Sequence, residues 1–163
     1  MNLTIFALLL SFVIGPPTSR STSAFLRLQS LAGEWEGKDE RANPVKTSFK
    51  RIVSNTTVME TLAMHASHEM ITLYSLDADG IALLHYCPTN NQPRMRAVPA
   101  PGELKELSFT FQGAGNLATA STGHEHKLVL QFQDKEHITE RWTWREKGKD
   151  TEMVYQFTRK TEE

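Results

Sequence analysis

An antiparallel β-barrel of about ten strands, preceded by one short helix, is the all-β fold class this sequence predicts. Three observations carry it. From Glu34 onward the chain alternates apolar and polar residues with period two. The alternating segments are short and divided by turn residues, and no sustained helical periodicity interrupts them. Without interleaved helices a parallel α/β sheet is disfavoured, and many short antiparallel strands hide their edges in a sandwich or a closed barrel. The segment Gly33-Glu34-Trp35 favours the barrel. A short helix, a glycine bend and a tryptophan on strand one plug one end, with the indole covering the floor.

Each element follows in order. Leu3 to Gly15 (LTIFALLLSFVIG) is mostly apolar over about 13 residues, the length of a signal-peptide core and short of the ~20 a spanning helix needs. No Lys or Arg precedes this run, and Thr22-Ser23-Ala24 supplies small residues for cleavage. Residues 1–24 are therefore read as a signal peptide and 25–163 as the barrel domain, secreted or periplasmic, with an uncleaved anchor as the competing reading. Phe25, Leu28 and Leu31 recur at helical spacing, ending at Gly33. In KTSFKRIV, Phe49 and Val53 alternate with Ser48 and Lys50, and TVMETLAMH sets Val58, Leu62 and Met64 on one face. EMITLYSLD runs to a turn at Asp79-Gly80 and IALLHYC resumes at once, a hairpin pattern. ELSFTFQG aligns Leu107, Phe109 and Phe111, and HKLVLQFQD aligns Leu128, Leu130 and Phe132. HITERWTWRE groups Ile138, Trp142 and Trp144; after a turn at Lys147-Gly148-Lys149, MVYQFTRK aligns Met153, Tyr155 and Phe157. QGAGNLATASTGHEH is the one long loop expected.

The bulk numbers bound the function. A chain of 163 residues with 39% apolar and 23% charged residues suits one domain with its own core. Lys and Arg number 18 against 19 Asp and Glu, a net charge of −1 that offers no footprint for nucleic acid or an anionic membrane. Cys87 is the only cysteine, so no intramolecular disulfide staples the fold.

The segment LAGEWEG (Leu31 to Gly37) resembles the Gly-x-Trp signature of the calycin group, which includes lipocalins, fatty-acid-binding proteins and nitrobindin-like barrels. Taken with HYCPTNNQPRM and ITERWTWREKGKDTEMVYQFTRK, it is similar more narrowly to a bacterial family of lipocalin-like domains without assigned function, from Leu26 to Lys160. The resemblance implies an up-and-down barrel of eight to ten strands around an internal cavity. Nitrobindin-like members hold haem through a histidine on a late strand. Met153 to Lys160 has none and His137 stands at a strand's start, so no haem or other cofactor is expected. Fatty-acid-binding members clamp a carboxylate with arginines from the later strands; Arg141 and Arg159 lie there with their direction open.

The stretch HYCPTNNQPRMRAVP concentrates the candidate chemistry. Ile81, Leu83, His85 and Cys87 share a strand face that Ile81 and Leu83 mark as interior. His85 is then either a polar anchor in an apolar pocket or a core histidine satisfied by backbone, and Cys87 a nucleophile or an inert small hydrophobe. Asn90, Asn91 and Gln92, stiffened by Pro88 and Pro93 and followed by Arg94 and Met95, form either a polar rim over the barrel mouth or a self-capping turn. His65 and His68, and His124 and His126, have spacings that metal ligands sometimes show, but surface histidines account for them better, so no metal site is expected.

The expectation is a barrel binding a small hydrophobic molecule, as monomer or homodimer. His85, Asn91, Gln92 and Arg94 are the expected polar anchors, with Trp35, Leu83, Met95 and Trp142 as apolar wall. The enzymatic alternative is a small-molecule isomerase or hydrolase using His85 as general base, with Glu60, Glu69 or Glu140 as conceivable partners.

Overall fold

The computed structural model describes residues 19–64 and 69–161. A helix, α1 (Arg20–Gln29), precedes ten strands: β1 (Gly33–Lys38), β2 (Pro44–Ile52), β3 (Thr57–Ala63), β4 (Glu69–Asp77), β5 (Gly80–Tyr86), β6 (Gln92–Ala97), β7 (Glu106–Gly115), β8 (His124–Phe132), β9 (His137–Glu146) and β10 (Lys149–Arg159). Each strand pairs antiparallel with its sequence neighbours, and β1 pairs with β10, so the sheet closes into an up-and-down barrel. The predicted fold class and strand number are both found. Among the described residues no helix is long and apolar enough to cross a membrane.

Period-two alternation becomes inside and outside. Val45, Thr47 and Phe49 of β2, and Val58, Glu60 and Leu62 of β3, are buried between more exposed neighbours. Closing the sheet lets these inner faces share one core, since a flat sheet of this size would leave an apolar face in water.

One end of the barrel is shut by α1. Ser19 caps the helix by accepting from the Thr22 amide at 3.1 Å, and Ser21 donates to Ala78 O at 3.1 Å. Phe25, Leu28 and Leu31 face the core, and Gly33 (φ 133°) makes the bend into β1 in a backbone region that suits glycine. The buried Trp35 donates its Nε1 hydrogen to Leu31 O at 2.9 Å. Arg159 lies over the indole at 4.2 Å and donates to Ala32 O and Ser30 O, both at 2.9 Å. Helix, first strand and last strand are thus tied at one point, the floor that the Gly-x-Trp segment predicts.

Several local expectations shift. The helix starts at Arg20 rather than near Phe25, so Arg20–Ala24, read as the end of a signal, are its first turns, with Ser21 and Ala24 buried. The hairpin turn after β4 is Ala78-Asp79, with Gly80 already in β5. Val53 is exposed in a turn beyond β2. The long loop shrinks to residues 116–123, because β7 runs on to Gly115 past a bulge opposite Arg94/Met95. The apolar run Leu3 to Gly15, and His65 and His68, lie outside the described residues.

Candidate functional site

Because α1 blocks one end, the turns at the other end form the mouth: residues 39–43, 87–91, 116–123 and 147–148. The interior polar residues gather on the mouth side of the Trp35 floor. Register produces the arrangement. Glu60 on β3 pairs with Thr72 on β4, and Thr72 with His85 on β5, so three inward side chains form one row. Across the barrel, Glu140 on β9 pairs with Tyr155 on β10, and Trp142 with Met153.

Two carboxyls meet in the middle. Glu60 accepts from the Tyr74 hydroxyl at 2.7 Å and the Thr47 hydroxyl at 3.0 Å; Glu140 accepts from Trp142 Nε1 at 2.9 Å. Both are fully buried, and burial raises both carboxyl pKa values, Glu140's further because the Glu60 charge opposes its ionisation. Glu60 has two hydroxyl donors and is the better stabilised anion. Glu140 Oε1 has no ordinary donor, so a proton held there and donated to Glu60 satisfies the pair.

Above them lies a cavity of about 10 Å³, room for roughly one water. His85, Glu125, Trp142 and Tyr155 supply its polar and aromatic wall, and Leu62, Met64, Met70 and Met153 the rest. His85 is 1% exposed; its Nδ1 pairs with the Thr72 hydroxyl at 3.0 Å, its ring packs tilted at 45° against Trp142 with centroids 4.8 Å apart, and its Nε2 has no partner. Burial lowers its pKa to about 4, so the ring is neutral at neutral pH. Glu125, 5% exposed, also leaves Oε2 without a partner, and burial raises its carboxyl to about 8, so it is largely protonated near neutrality. The Tyr155 hydroxyl donates to Met64 Sδ at 2.8 Å.

Met64, Met153 and Tyr155 also line an outer vestibule of about 370 Å³ at the mouth, whose rim carries Asp39, Glu40, Arg41 and Glu152. These three side chains therefore form the partition between cavity and vestibule. A broader groove along the outer wall of β1 and β10, between Glu36, Lys46 and Gln156, includes none of the unpartnered buried polar atoms.

The expected site residues divide into three groups. His85 and Trp142 meet at the cavity. Leu83 and Met95 are cross-strand partners in the buried wall, and Trp35 belongs to the closed floor. The polar rim is corrected. Gln92 and Arg94 lie within β6, whose Pro93, Met95 and Ala97 point inward, so both face outside. Pro93 is tolerated because pairing between β5 and β6 ends at Leu84 and Arg94, leaving no ladder bond for its absent N–H. Asn91 is buried but ties two mouth loops together by donating to Gly123 O at 2.8 Å. Cys87 lies beyond the end of β5, half-buried, and its sulfur accepts from the Thr89 hydroxyl at 3.0 Å.

The remaining candidates are accounted for by structure. Arg141 pairs with Glu152 at 3.6 Å on the outside, and Arg159 is the floor clamp, so neither reaches the cavity. His137 is exposed against Asp134. His124 and His126 form an oriented chain: Arg145 donates to His126 Nε2 at 2.6 Å, His126 Nδ1 to His124 Nε2 at 3.1 Å, and His124 Nδ1 to Thr122 O at 2.7 Å. Every ring nitrogen is engaged, and His124 is buried, not at the surface where its sequence context places it. For the enzymatic alternative, Glu69 is exposed, and among the described residues no carboxylate is hydrogen-bonded to His85. Glu125 is the residue sequence reasoning missed. A bulge between Glu125 and Lys127 shifts β8 by one residue, so strict alternation places Glu125 on the wrong face.

The sequence matches no protein-family model, and no curated protein matches it.

Proposed function

We propose that this protein is an exported lipocalin-like barrel of the calycin kind that binds one small, mostly apolar ligand behind its mouth. The observation that carries the reading is the pair of unpartnered buried atoms, His85 Nε2 and Glu125 Oε2, facing one small cavity. Leaving a polar atom buried without a partner costs roughly 1–3 kcal/mol, a cost that a bound polar group removes. The apolar remainder of the ligand takes the place of Met64 and Met153, unbranched side chains that repack easily. The α1 floor and the Gly-x-Trp bend support the kinship. For export, the proposed cleavage falls before Ser19, because a cut after Ala24 would remove half of the helix that shuts the barrel.

Displacement of a fluorescent hydrophobic probe tests the binding. One saturable site is expected, weakened about tenfold by His85→Ala, which removes the central anchor. Absence of saturable binding to the folded protein, across probes of differing size, refutes it.

A further inference from the structure

The interior charge has one sign. Glu60, Glu125 and Glu140 are buried, and among the described residues no Lys or Arg is buried with them. A barrel built for a fatty acid or another anion needs a cation inside; this one offers none among the described residues, and its buried carboxyls can gain charge only of the sign that pairs with a cation. The rim repeats the sign, with Asp39 and Glu40 against Arg41, while Glu152 beside them is paired with Arg141. Resting on the binding function proposed above, we infer that the ligand is a small organic cation bearing N–H donors, a protonated amine, its ammonium group seated between Glu125 and His85.

Four features support this class. The inner cavity of about 10 Å³ matches a water-sized ammonium head and not an aromatic or acyl body. Its two unpartnered atoms serve as acceptors. If His85 Nδ1 donates to Thr72, Nε2 presents a lone pair, and ionised Glu125 presents another, so both accept from N–H donors that a quaternary ammonium lacks. Trp142 and Tyr155 line the cavity beside the head, where aromatic rings favour a cation. The acidic vestibule of about 370 Å³ attracts cations and holds the apolar body once Met64 and Met153 move aside.

The proton balance is explicit. Unliganded Glu125 is a carboxylic acid over most of the physiological range. When R–NH₃⁺ enters, the acid loses its proton to the buffer, and the carboxylate pairs with the ammonium. Binding therefore releases a proton, and affinity rises with pH until Glu125 is already ionised.

Isothermal titration of the folded full-length protein distinguishes the possibilities. The probes are 2-phenylethylamine, the neutral 2-phenylethanol and the anionic 3-phenylpropanoate, each titrated in phosphate and in MOPS at about pH 6. Expected are binding of the amine about tenfold tighter than the alcohol, no binding of the anion, and release of about one proton per amine. Glu125→Gln should remove both the preference for the amine over the alcohol and the proton release; circular dichroism confirms its fold. If the alcohol or anion binds as tightly as the amine, or no proton is released, the cation inference fails while the cavity reading stands. If none of the three binds and no hydrophobic probe is displaced, the cavity reading fails with it.

Discussion

Replacing Glu125 by Gln should stabilise the unliganded protein, by an amount that grows with pH. The carboxyl has a pKa of about 8 in the fold against a model value of 4.5. A folded pKa above the unfolded one means that the fold holds a proton the open chain has lost. Its contribution is therefore harmless in acid and turns against folding as pH climbs from about 4.5 toward about 8. At pH 7 the penalty is roughly 3 kcal/mol, from about 1.4 kcal/mol for each pH unit above 4.5. Gln keeps the shape and cannot ionise, so the variant escapes the penalty. Urea denaturation of both proteins from pH 4 to pH 7 should show similar midpoints at the acid end and a widening gap above it. In melting temperature the gap at pH 7 is roughly 6–12 °C. A gap that stays constant with pH, or a variant no more stable than wild type at pH 7, would show that Glu125 ionises normally and that its side chain reaches water.

The mirror experiment uses His85, whose pKa of about 4 lies below the usual 6.5, so its neutral form supports the fold and that support fades as pH falls from 6.5 toward 4. His85→Gln should flatten this acid limb by roughly 3 kcal/mol between pH 7 and pH 4, read from urea midpoints; an unchanged limb refutes the burial of the ring. Arg159→Ala removes the guanidinium over Trp35 and its bonds to Ala32 and Ser30, and should cost roughly 2–4 kcal/mol in urea denaturation. Lysine at the same position should recover only part of this, because it cannot stack and bridge two carbonyls together; full recovery would reduce the clamp to simple charge. Gly37→Ala places a Cβ 2.1 Å from Gln156 O, where the first and last strands meet. The seam must part locally, so amide exchange in β1 and β10 should accelerate well before global unfolding. Unaltered protection there would mean that the strands sit further apart.

The barrel was legible because its strands keep strict alternation. Leu128, Leu130 and Phe132 all point inward as their spacing requires. Two of the buried acids were equally legible, since Glu60 sits between Val58 and Leu62, and Glu140 between Ile138 and Trp142, on faces already marked as core. What escaped depended on events that alternation cannot register. The β8 bulge turned Glu125 inward. Pro93 suggested a loop where β6 had lost its pairing with β5 on one side only, and Arg94 was placed on the wrong side of the wall. The polar RSTS segment looked unlike a packed helix, yet Ser21 is buried by bonding to Ala78 O, a partner far away in sequence.

The seam between β1 and β10 also bears on how the chain is made. A ribosome delivers β1 first, but its partner across the seam is the last strand to emerge. Until then the growing protein is an open ribbon with two unpaired borders, one at β1 and the other at its newest strand. Closure requires joining the most distant parts of the domain, a slow search by the usual relation between contact separation and folding rate. Folding of this barrel is therefore expected to follow synthesis rather than accompany it, and the unfinished ribbon is the form in which the protein most needs a chaperone.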